Sequence, residues 1–316
     1  MKKILATLFG LVLCCSVFAQ QQAKRYAVVD VAVNYMREDP DYAAENGDQS
    51  LMGTVVEVLD KDSYWVKIRT GEPYTAWVNE MTLVEMDEKQ VKDYIAAPKY
   101  IFTADYGHIY SKPDLNSLRI SDAVFLDIMR ISFDNGKPAK SGKFLRVTLP
   151  SGKEGWVLKK EVEQYDSWKA SRKVTAENII ATARRFVGVT YFWGGTSIKG
   201  VDCSGLATMS YRSCGVLLNR NASQQVKMGV EVAYKDAQPG DLLFFGTKAT
   251  AEKPERISHV AIYLGNDMII HSSQVVRINS LLPGREDSYE REVLHARRLI
   301  GNVEISDFFV SLPDLK

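Results

Sequence analysis

Cys203 is the residue whose type and neighbours best suit covalent chemistry. It stands between Asp202 and Ser204, with Gly205 after them, and this polar, glycine-containing sequence is unusual for a packed core. Asp202 is a favourable helix N-cap, so we predict that Cys203 lies in the first turn of a helix. Free N–H groups and the positive end of the helix dipole would stabilise a thiolate there and could donate to an oxyanion. A cysteine is more often an inert buried hydrophobe, but the local sequence favours a nucleophile.

A cysteine nucleophile needs a base, and two histidines are spaced to supply one. The chain has four histidines, at positions 108, 259, 271 and 295. His259 lies in the alternating run 258–265 and His271 in the run 268–272, with turn-forming residues 265–267 (G-N-D) between them. A hairpin of these strands places His271 opposite His259 or one diagonal step from it. One histidine could then act as the base while the other orients it.

Neither a metal ion nor a disulfide is expected at Cys203. Cys203 and Cys214 are the two cysteines outside the first nineteen residues, and we place both on the same helix. At a rise of about 1.5 Å per residue they are roughly 16 Å apart, too far for a disulfide or a shared zinc ion. The sequence also has no C-x-x-C pair. We therefore expect a free thiol and no metal or other cofactor.

The first nineteen residues have the layout of an export signal. A short basic start at residues 2–3 precedes the apolar stretch 4–13, and residues 17–19 (V-F-A) form a cleavage site. The apolar stretch is too short for a membrane anchor. Leu13 is a poor residue before a lipid-modified cysteine, so lipidation of Cys14 or Cys15 is the less favoured alternative. We expect an exported protein, periplasmic or in the cell envelope, with no membrane span in the mature chain.

The composition excludes several classes of protein. The chain has 316 residues, which suggests two or three domains, and its 46% hydrophobic and 25% charged residues are typical of globular domains. Removing the two lysines of the signal from 40 basic residues leaves 38 against 39 acidic ones, a formal charge of −1. We find no basic stripe, so we expect no nucleic-acid partner.

The part of the chain between residues 25 and 165 has the pattern of short strands separated by turns. Two similar sets of strands are predicted, at 25–33, 51–59, 64–69 and 74–78, and at 100–104, 123–131, 144–149 and 155–158. The Trp-Val pairs that begin at Trp77 and Trp156 lie 79 residues apart, which indicates two tandem small β-barrels. A short helix at 86–97, followed by Pro98, is predicted to link them.

After Trp168 the pattern changes to helices followed by strands. Thr175 can cap a helix whose apolar stripe ends before Gly188, and a second helix follows Asp202. Short apolar strands are predicted at 242–245, 258–264 and 268–272. Helices before an antiparallel sheet indicate an α+β domain. We divide the chain into a signal peptide at 1–19, a first barrel with the linking helix at 20–97, a second barrel at 98–168 and a catalytic domain at 169–316.

Five sequence blocks resemble, in order and spacing, the NlpC-type papain-like cell-wall peptidases. The blocks are 191–195 (Y-F-W-G-G), 201–206 (V-D-C-S-G-L), 239–242 (P-G-D-L), 258–265 (S-H-V-A-I-Y-L-G) and 270–271 (I-H). The match covers about residues 172–300. The strands before it resemble bacterial SH3-like domains, which commonly accompany cell-wall enzymes. The expected fold is α+β: a papain-like cysteine peptidase domain preceded by two small all-β SH3-like barrels.

The resemblance implies roles for individual residues. Cys203 is the nucleophile, His259 the base and His271 the residue that orients the base. Such enzymes cleave the γ-D-glutamyl bond to a diamino acid in peptidoglycan stem peptides. Tyr191 resembles the family's tyrosine at the oxyanion and substrate side, and Trp193 in the same block joins the candidates for substrate binding.

Two SH3-like domains before the catalytic domain resemble the dipeptidyl-peptidases that act on free murein peptides. In that subgroup a tyrosine and a glutamate of the first SH3-like domain help bind the free amino group of L-alanine. The matching positions are Tyr74 and Glu45, together with Asp202 and Ser204 beside the nucleophile. Burial of an ammonium without an accepting partner costs roughly several kcal/mol, so an acidic partner is expected. Glu45 could instead be a solvated loop carboxylate, and Tyr74 an aromatic at the barrel edge.

The expected activity is release of L-Ala-D-Glu from stem peptides with a free N-terminus, by a monomer whose partners are peptidoglycan-derived peptides. The alternatives are an endopeptidase or amidase acting on the intact sacculus and a non-catalytic wall-binding adaptor. The sequence leaves open whether the third stem residue is meso-diaminopimelate or lysine. Asn221 stands where some members of the family carry aspartate. We interpret the polar stretch 247–256 as a solvated loop in preference to a lid.

Overall fold

The computed structural model describes residues 24–71, 73–310, 312 and 315. The first unit has seven strands: β1 (Arg25–Val29), β2 (Val33–Arg37), β3 (Asn46–Leu51), β4 (Val55–Asp62), β5 (Trp65–Arg69), β6 (Thr75–Asn79) and β7 (Leu83–Met86). They form an antiparallel sheet in the order β3-β2-β6-β5-β4-β1-β7. Apolar side chains that alternate along the strands, such as Val56, Val66 and Ile68, are buried together inside it.

The predicted strand 51–59 is shortened by a turn at Gly53. Gly53 has φ +86°, a left-handed conformation that favours glycine, and β4 begins two residues later at Val55. A side chain at this position would also approach the backbone oxygen of Ile128. The turn therefore lets the first unit pack closely on the second.

A single helix connects the first two units. Helix α1 (Glu88–Ala96) is capped at its start by Asp87, whose side chain accepts from the N–H of Gln90 at 2.8 Å. Gln90 reaches back to the N–H of Asp87, which completes a capping box. Val91 and Tyr94 are its buried residues.

The second unit repeats the strand-rich pattern. Its strands are β8 (Lys99–Phe102), β9 (Tyr106–Tyr110), β10 (Arg119–Val124), β11 (Ile128–Ile131), β12 (Phe133–Asp134), β13 (Lys137–Pro138), β14 (Lys140–Ser141), β15 (Phe144–Thr148), β16 (Glu154–Leu158) and β17 (Val162–Gln164). The main sheet has the order β10-β9-β16-β15-β11-β8-β17, with β14 paired to β15.

The predicted strand 123–131 is wrong as a continuous element. The chain turns between β10 and β11, where Leu126 has φ +76°. The buried carboxylate of Asp127 holds this turn by accepting from the N–H of Val124 at 2.8 Å and from that of Met52 at 3.0 Å. A pattern of apolar residues cannot distinguish one buried strand from two that are joined by such a turn.

The third unit begins with helices. They are α2 (Tyr165–Ser171), α3 (Ala176–Arg185), α4 (Cys203–Arg212) and α5 (Ala222–Gln225), with a short hairpin of β18 (Thr196–Ser197) and β19 (Gly200–Val201) before α4. Thr175 caps α3 by accepting from the N–H of Asn178, and Gly188 has φ +87° just beyond the end of the helix.

A six-stranded antiparallel sheet follows the helices. Its strands are β20 (Val230–Val232), β21 (Leu242–Thr247), β22 (Arg256–Gly265), β23 (Met268–Ser273), β24 (Val275–Ser280) and β25 (His295–Arg298), in the order β20-β25-β21-β22-β23-β24. Helix α4 packs against β22 and β23 through a buried face that includes Leu206 and Met209. The α+β prediction is confirmed.

Cys214 does not lie on the same helix as Cys203, although the sequence predicts that it does. Helix α4 ends at Arg212 and Ser213 is its C-cap, so Cys214 lies just beyond the helix and not on it. Cys203 and Cys214 are both free thiols.

The C-terminal segment contacts all three units. The carbonyl of Phe309 accepts from the N–H of Val55 in the first unit at 2.9 Å, and the N–H of Ser306 donates to Gly215 in the third at 2.7 Å. In the second unit, Lys99 of β8 places its Nζ 5.2 Å from the centroid of the Phe309 ring. These contacts help to fix the relative positions of the units.

The predicted signal peptide at 1–19 lies outside the described residues. Among the helices that the structure describes, none combines the length and the apolar character that a membrane span requires.

Candidate active site

The first turn of α4 holds Cys203. Asp202 caps the helix by accepting from the N–H of Gly205 at 2.7 Å, and its second oxygen accepts from the N–H of Gly194 at 3.0 Å. A side chain at Gly205 would overlap the carbonyl oxygen of Gly195, so glycine is required for this close approach. The backbone N–H groups of Val260 and Ser204 act on the sulfur and lower the pKa of Cys203.

A chain of hydrogen bonds determines which nitrogen of His259 can act as a base. The side-chain N–H of Asn279 donates to the carbonyl of Asp287 at 2.7 Å, so its amide oxygen faces His271 Nε2 at 2.9 Å. Because that oxygen can only accept, His271 carries its proton on Nε2 and presents a free lone pair at Nδ1. His259 Nε2 lies 2.7 Å from this Nδ1 and therefore donates to it. The remaining nitrogen, His259 Nδ1, forms no hydrogen bond among the described residues and is therefore the one that is available to act as a base.

Burial keeps both histidines neutral. Burial lowers the pKa of His259 to about 3, and the neighbouring His271 and Arg291 make smaller contributions in the same direction. Burial also lowers the pKa of His271 to about 4, although its hydrogen bond with Asn279 opposes this shift. A neutral imidazole is the form that a general base requires.

Burial of Cys203 opposes the thiolate that the sequence predicts, because it disfavours the charged form of the sulfur. Burial and then the Asp202 carboxylate raise its pKa to about 11, and they outweigh the N–H groups of Val260 and Ser204. Asp202 caps the helix and places a negative charge beside the sulfur at the same time. The arrangement therefore fits proton transfer from Cys203 to His259 during attack rather than a preformed ion pair.

Two aromatic rings enclose the histidines. The ring of Tyr289 meets His271 edge-on at 4.6 Å between centroids and lies 5.5 Å from His259. Phe245 lies 5.9 Å from His259 and contacts Tyr289 at 5.2 Å. These rings exclude water from the imidazoles, which accounts for the effect of burial on their pKa.

A cleft of about 300 Å³ opens beside Cys203. Five of the six predicted substrate-binding residues line it: Tyr74, Tyr191, Trp193, Asp202 and Ser204. Burial raises the pKa of Tyr74, and the negative charge of Asp48 raises it further. The Tyr74 hydroxyl therefore stays protonated. Gly47 makes room for this ring, because a side chain there would overlap the Tyr74 hydroxyl.

Glu45 does not line this cleft. It borders a neighbouring pocket of about 410 Å³ together with Tyr35, Arg37, Asn46, Phe192 and Trp193. Glu38 lines the catalytic cleft in its place. The two glutamates are close in the fold, since the N–H of Glu38 donates to the carbonyl of Glu45 at 3.0 Å across the β2–β3 hairpin. A bulge in this hairpin, between Met36 and Arg37, changes the register near Glu38.

A buried arginine joins the first unit to the nucleophile. Arg220 forms ion pairs with Asp202 at 2.5 Å and with Asp48 of β3 at 2.8 Å. It also donates to the hydroxyl of Ser204 at 3.0 Å. All four side chains are buried. A buried charge needs such partners, so Asp48 contributes to the order of the residues on both sides of Cys203.

Strand β3 also binds the segment that precedes the nucleophile. The amide nitrogen of Asn46 donates to the carbonyls of Trp193 and Gly194 at 3.3 and 3.1 Å. Thr196 donates from its N–H to the side chain of Gln49 at 2.9 Å. The first unit thus forms one wall of the cleft.

Sequence reasoning did not identify Asn279, Tyr289, Glu38 or Arg220. Asn279 is a polar residue on an alternating strand directly after His271, which is a weak signal that could have been used. Tyr289 lies in the long connection from β24 to β25, where no periodic pattern indicates a position. The roles of Arg220 and Glu38 depend on contacts between units that are far apart in the sequence.

Other features of the third unit are less suited to chemistry. The stretch 247–256 spans the connection from β21 to β22, and Arg256, Ile257 and Ser258 border the cleft. A larger cavity of about 540 Å³ lies near Lys99 and Asp307 and shares no lining residue with the cleft. Among the described residues no group of three or more histidine, cysteine or acidic side chains could hold a metal ion.

Comparison with known proteins adds independent evidence. The profile of the NlpC/P60 family matches residues 188–298, and that of the bacterial SH3 domain matches residues 31–84. The gamma-D-glutamyl-L-lysine dipeptidyl-peptidase of Bacillus cereus is 30% identical over 262 residues, which cover 80% of this chain and 74% of that protein. Its namesake from Bacillus subtilis is 38% identical over 138 residues, which cover 43% and 46% of the two chains.

A solved structure has the same arrangement. The crystal structure of an NlpC/P60 family protein from Bacillus cereus, at 1.79 Å resolution, superposes with a TM-score of 0.72 and 25% sequence identity. The superposition covers 87% of this chain and 99% of that one, so it extends over the strand-rich units as well as the site. The chain belongs to the NlpC/P60 family of cysteine peptidases.

Proposed function

We propose that this protein is a γ-D-glutamyl-diamino acid peptidase that releases L-Ala-D-Glu from peptidoglycan stem peptides with a free N-terminus. The observation that carries the proposal is the cleft in which Cys203 meets acidic and aromatic side chains of the first unit. Two relatives named gamma-D-glutamyl-L-lysine dipeptidyl-peptidase support the same bond specificity. Such a substrate places the enzyme in the cell envelope.

The hydrogen-bond chain gives the proposed order of proton transfers. His259 Nδ1 takes the thiol proton as the sulfur of Cys203 attacks the γ-carbonyl carbon, and the carbonyl oxygen becomes an oxyanion. N–H groups of the first turn of α4, which have no partner within the helix, and the Tyr191 hydroxyl stabilise it. His259 then gives its proton to the leaving amine as the C–N bond breaks. Water, deprotonated by His259, hydrolyses the thioester and releases the dipeptide.

The free amino group of the substrate would lie against the first unit. Among the described residues Glu38 forms no ion pair, whereas Asp202 and Asp48 share the charge of Arg220. Glu38, with the Tyr74 hydroxyl, is thus the best placed acceptor for an ammonium, and Asp202 adds negative charge nearby. A part for Glu45 remains a prediction, since it borders the neighbouring pocket.

The test is product analysis on a synthetic tripeptide, L-Ala-γ-D-Glu-diamino acid. We expect the dipeptide L-Ala-D-Glu and the free diamino acid in equal amounts. Cys203→Ala, which removes the nucleophile, should release neither at a rate above background. Cleavage by Cys203→Ala at the wild-type rate, or cleavage at another bond, would refute the proposal.

An endopeptidase acting on the intact sacculus is the second candidate. Its support is the exposed face of Trp193, which is 58% exposed and would leave room for a longer substrate. Such an enzyme would cleave peptides whose N-terminus is blocked, as it is in the sacculus. The acidic cleft wall favours the exopeptidase.

A further inference from the structure

Two arginines, Arg277 and Arg291, lie close to the two histidines and outside the cleft beside Cys203. Arg277 is on the edge strand β24, and Arg291 is in the connection that carries Tyr289. Both side chains are exposed, and neither lines the cleft beside Cys203. They belong to no step of the proposed reaction described so far.

Arg277 is fixed close to the third catalytic residue by strand register. It pairs directly with His271 across β23 and β24, so the two side chains project from the same face as neighbours. Asn279, two residues after Arg277, projects from that face as well, and its Oδ1 lies 2.9 Å from His271 Nε2. Arg277 and Asn279 also border an open pocket of about 660 Å³.

Arg291 reaches the same place from the loop. Its guanidinium carbon lies 5.7 Å from the centroid of the Tyr289 ring, which packs on both histidines. The two arginines lower the pKa of His271, and Arg291 also lowers that of His259, as nearby positive charges do. The positive field therefore extends to the atoms that deliver a proton to the leaving amine.

The two arginines differ from their neighbour Arg285 in their partners. Arg285 borders the same pocket and is paired with Asp287 at 3.0 Å. Within residues 24–71 and 73–310, neither Arg277 nor Arg291 forms an ion pair with a carboxylate. Glu286 borders the pocket too, but it also lacks an ion pair with these arginines. Two guanidinium groups are thus available for an anion.

The direction of the bound substrate assigns the surface near Arg277 and Arg291 to the leaving group. If the cleft holds L-Ala-D-Glu, as proposed above, the diamino acid must lie beyond Cys203, where His259 protonates its amine. We propose that Arg277 and Arg291 form a subsite for a carboxylate of that leaving residue, with Tyr289 as the surface between them and the histidines. This inference rests on the proposed function.

Two carboxylates of the leaving residue fit this chemistry. One is the α-carboxylate that any tripeptide carries, and the other is the side-chain carboxylate that diaminopimelate has and lysine lacks. A guanidinium binds a carboxylate through two parallel hydrogen bonds, and lysine, which has the side-chain ammonium but not the carboxylate beside it, offers no such partner. The subsite therefore favours diaminopimelate over lysine wherever the side-chain carboxylate is the one bound.

The experiment compares kcat/KM for four tripeptides that differ in the third residue: diaminopimelate, its side-chain amide, its α-amide and lysine. We expect amidation of the bound carboxylate to lower kcat/KM by roughly tenfold or more, the value of a charged hydrogen bond. If the side-chain carboxylate is bound, kcat/KM falls for both the side-chain amide and the lysine peptide. If the α-carboxylate is bound, kcat/KM falls for the α-amide alone.

Variants locate the effect. In the double variant Arg277→Gln/Arg291→Gln, amidation should no longer lower kcat/KM, because the amide and the acid then meet a neutral surface. Arg285→Gln is the matched control and should keep the wild-type penalty. Equal loss on all four peptides in the double variant, or no penalty in wild type, would overturn the subsite.

Calorimetry separates this inference from the proposed function. The Cys203→Ala protein is titrated with the same four peptides, and the amidated ones should bind more weakly only when both arginines are present. If the wild-type enzyme cleaves none of the peptides, the proposed function fails, and the calorimetric comparison still decides the subsite. Equal binding of all four peptides would refute it.

Discussion

The proton positions on the two histidines depend on Asn279, a side chain that does not line the cleft beside Cys203. Asn279 is held by the carbonyl of Asp287, and its orientation determines the proton positions on His271 and His259. Burial and then Asp202 raise the pKa of the Cys203 thiol, against the effect of the N–H groups of Val260 and Ser204. Local sequence patterns correctly predicted the helix cap and the histidine hairpin, but they could not predict the degree of burial.

Replacement of Asn279 tests this chain of hydrogen bonds. In Asn279→Ala the His271 tautomer is no longer fixed, and we expect kcat to fall by roughly ten- to a hundredfold, with little change in KM. In Asn279→Asp a carboxylate beside His271 raises the histidine pKa values, which are about 3 and 4 in the native site. The acid limb of kcat/KM should then move toward neutral pH, because the base becomes protonated at a higher pH.

The measurement is the pH profile of kcat/KM for wild type and both variants, with circular dichroism as a check on folding. Wild type should keep its activity down to about pH 5, since His259 stays neutral there. A profile that is the same in wild type and Asn279→Asp would show that Asn279 does not act through the histidines.

At the scale of elements, the segment 193–197 packs on strand β3, and the two hold each other in place. Gly194 has φ +72°, and a side chain there would overlap the backbone of Asn46 in β3. Asp202 also accepts from the N–H of Gly194, so this contact and the cap of α4 are connected. The sequence block 191–195 indicated a functional segment but not its partner, because β3 lies almost 150 residues earlier.

Gly194→Ala is predicted to weaken this contact, and Gly188→Ala is its matched control. Gly188 has a similar φ of +87° but open space around it. Gly188→Ala should therefore cost only the backbone strain, about 1 kcal/mol, and keep kcat/KM. Gly194→Ala should lose more stability and also reduce kcat/KM by roughly tenfold or more, since the cleft wall moves.

Denaturant unfolding and kinetics on the same tripeptide separate the two effects. If both variants lose the same stability and both keep full activity, the docking of β3 on this segment has no part in the cleft.

At the scale of the whole molecule, the first and third units together build one site. Most strands and the order of the units follow from local patterns, and the Trp-Val spacing predicted a repeat where the structure has two consecutive strand-rich units. The assignment of Glu45 to the cleft illustrates the limit, because a bulge near Met36 places Glu38 there. The link from Asp48 through Arg220 to Asp202 joins residues far apart in sequence, and no periodicity encodes such a contact.

We propose that the first unit makes the site selective for a free amino terminus. The most direct measurement compares kcat/KM for a tripeptide with a free L-alanine amine and for the same peptide with an N-acetyl group. We predict that acetylation lowers kcat/KM by roughly a hundredfold or more, because Glu38 and Asp202 lose their cationic partner and the cleft wall excludes the acetyl group. Equal cleavage of the two peptides would contradict this account.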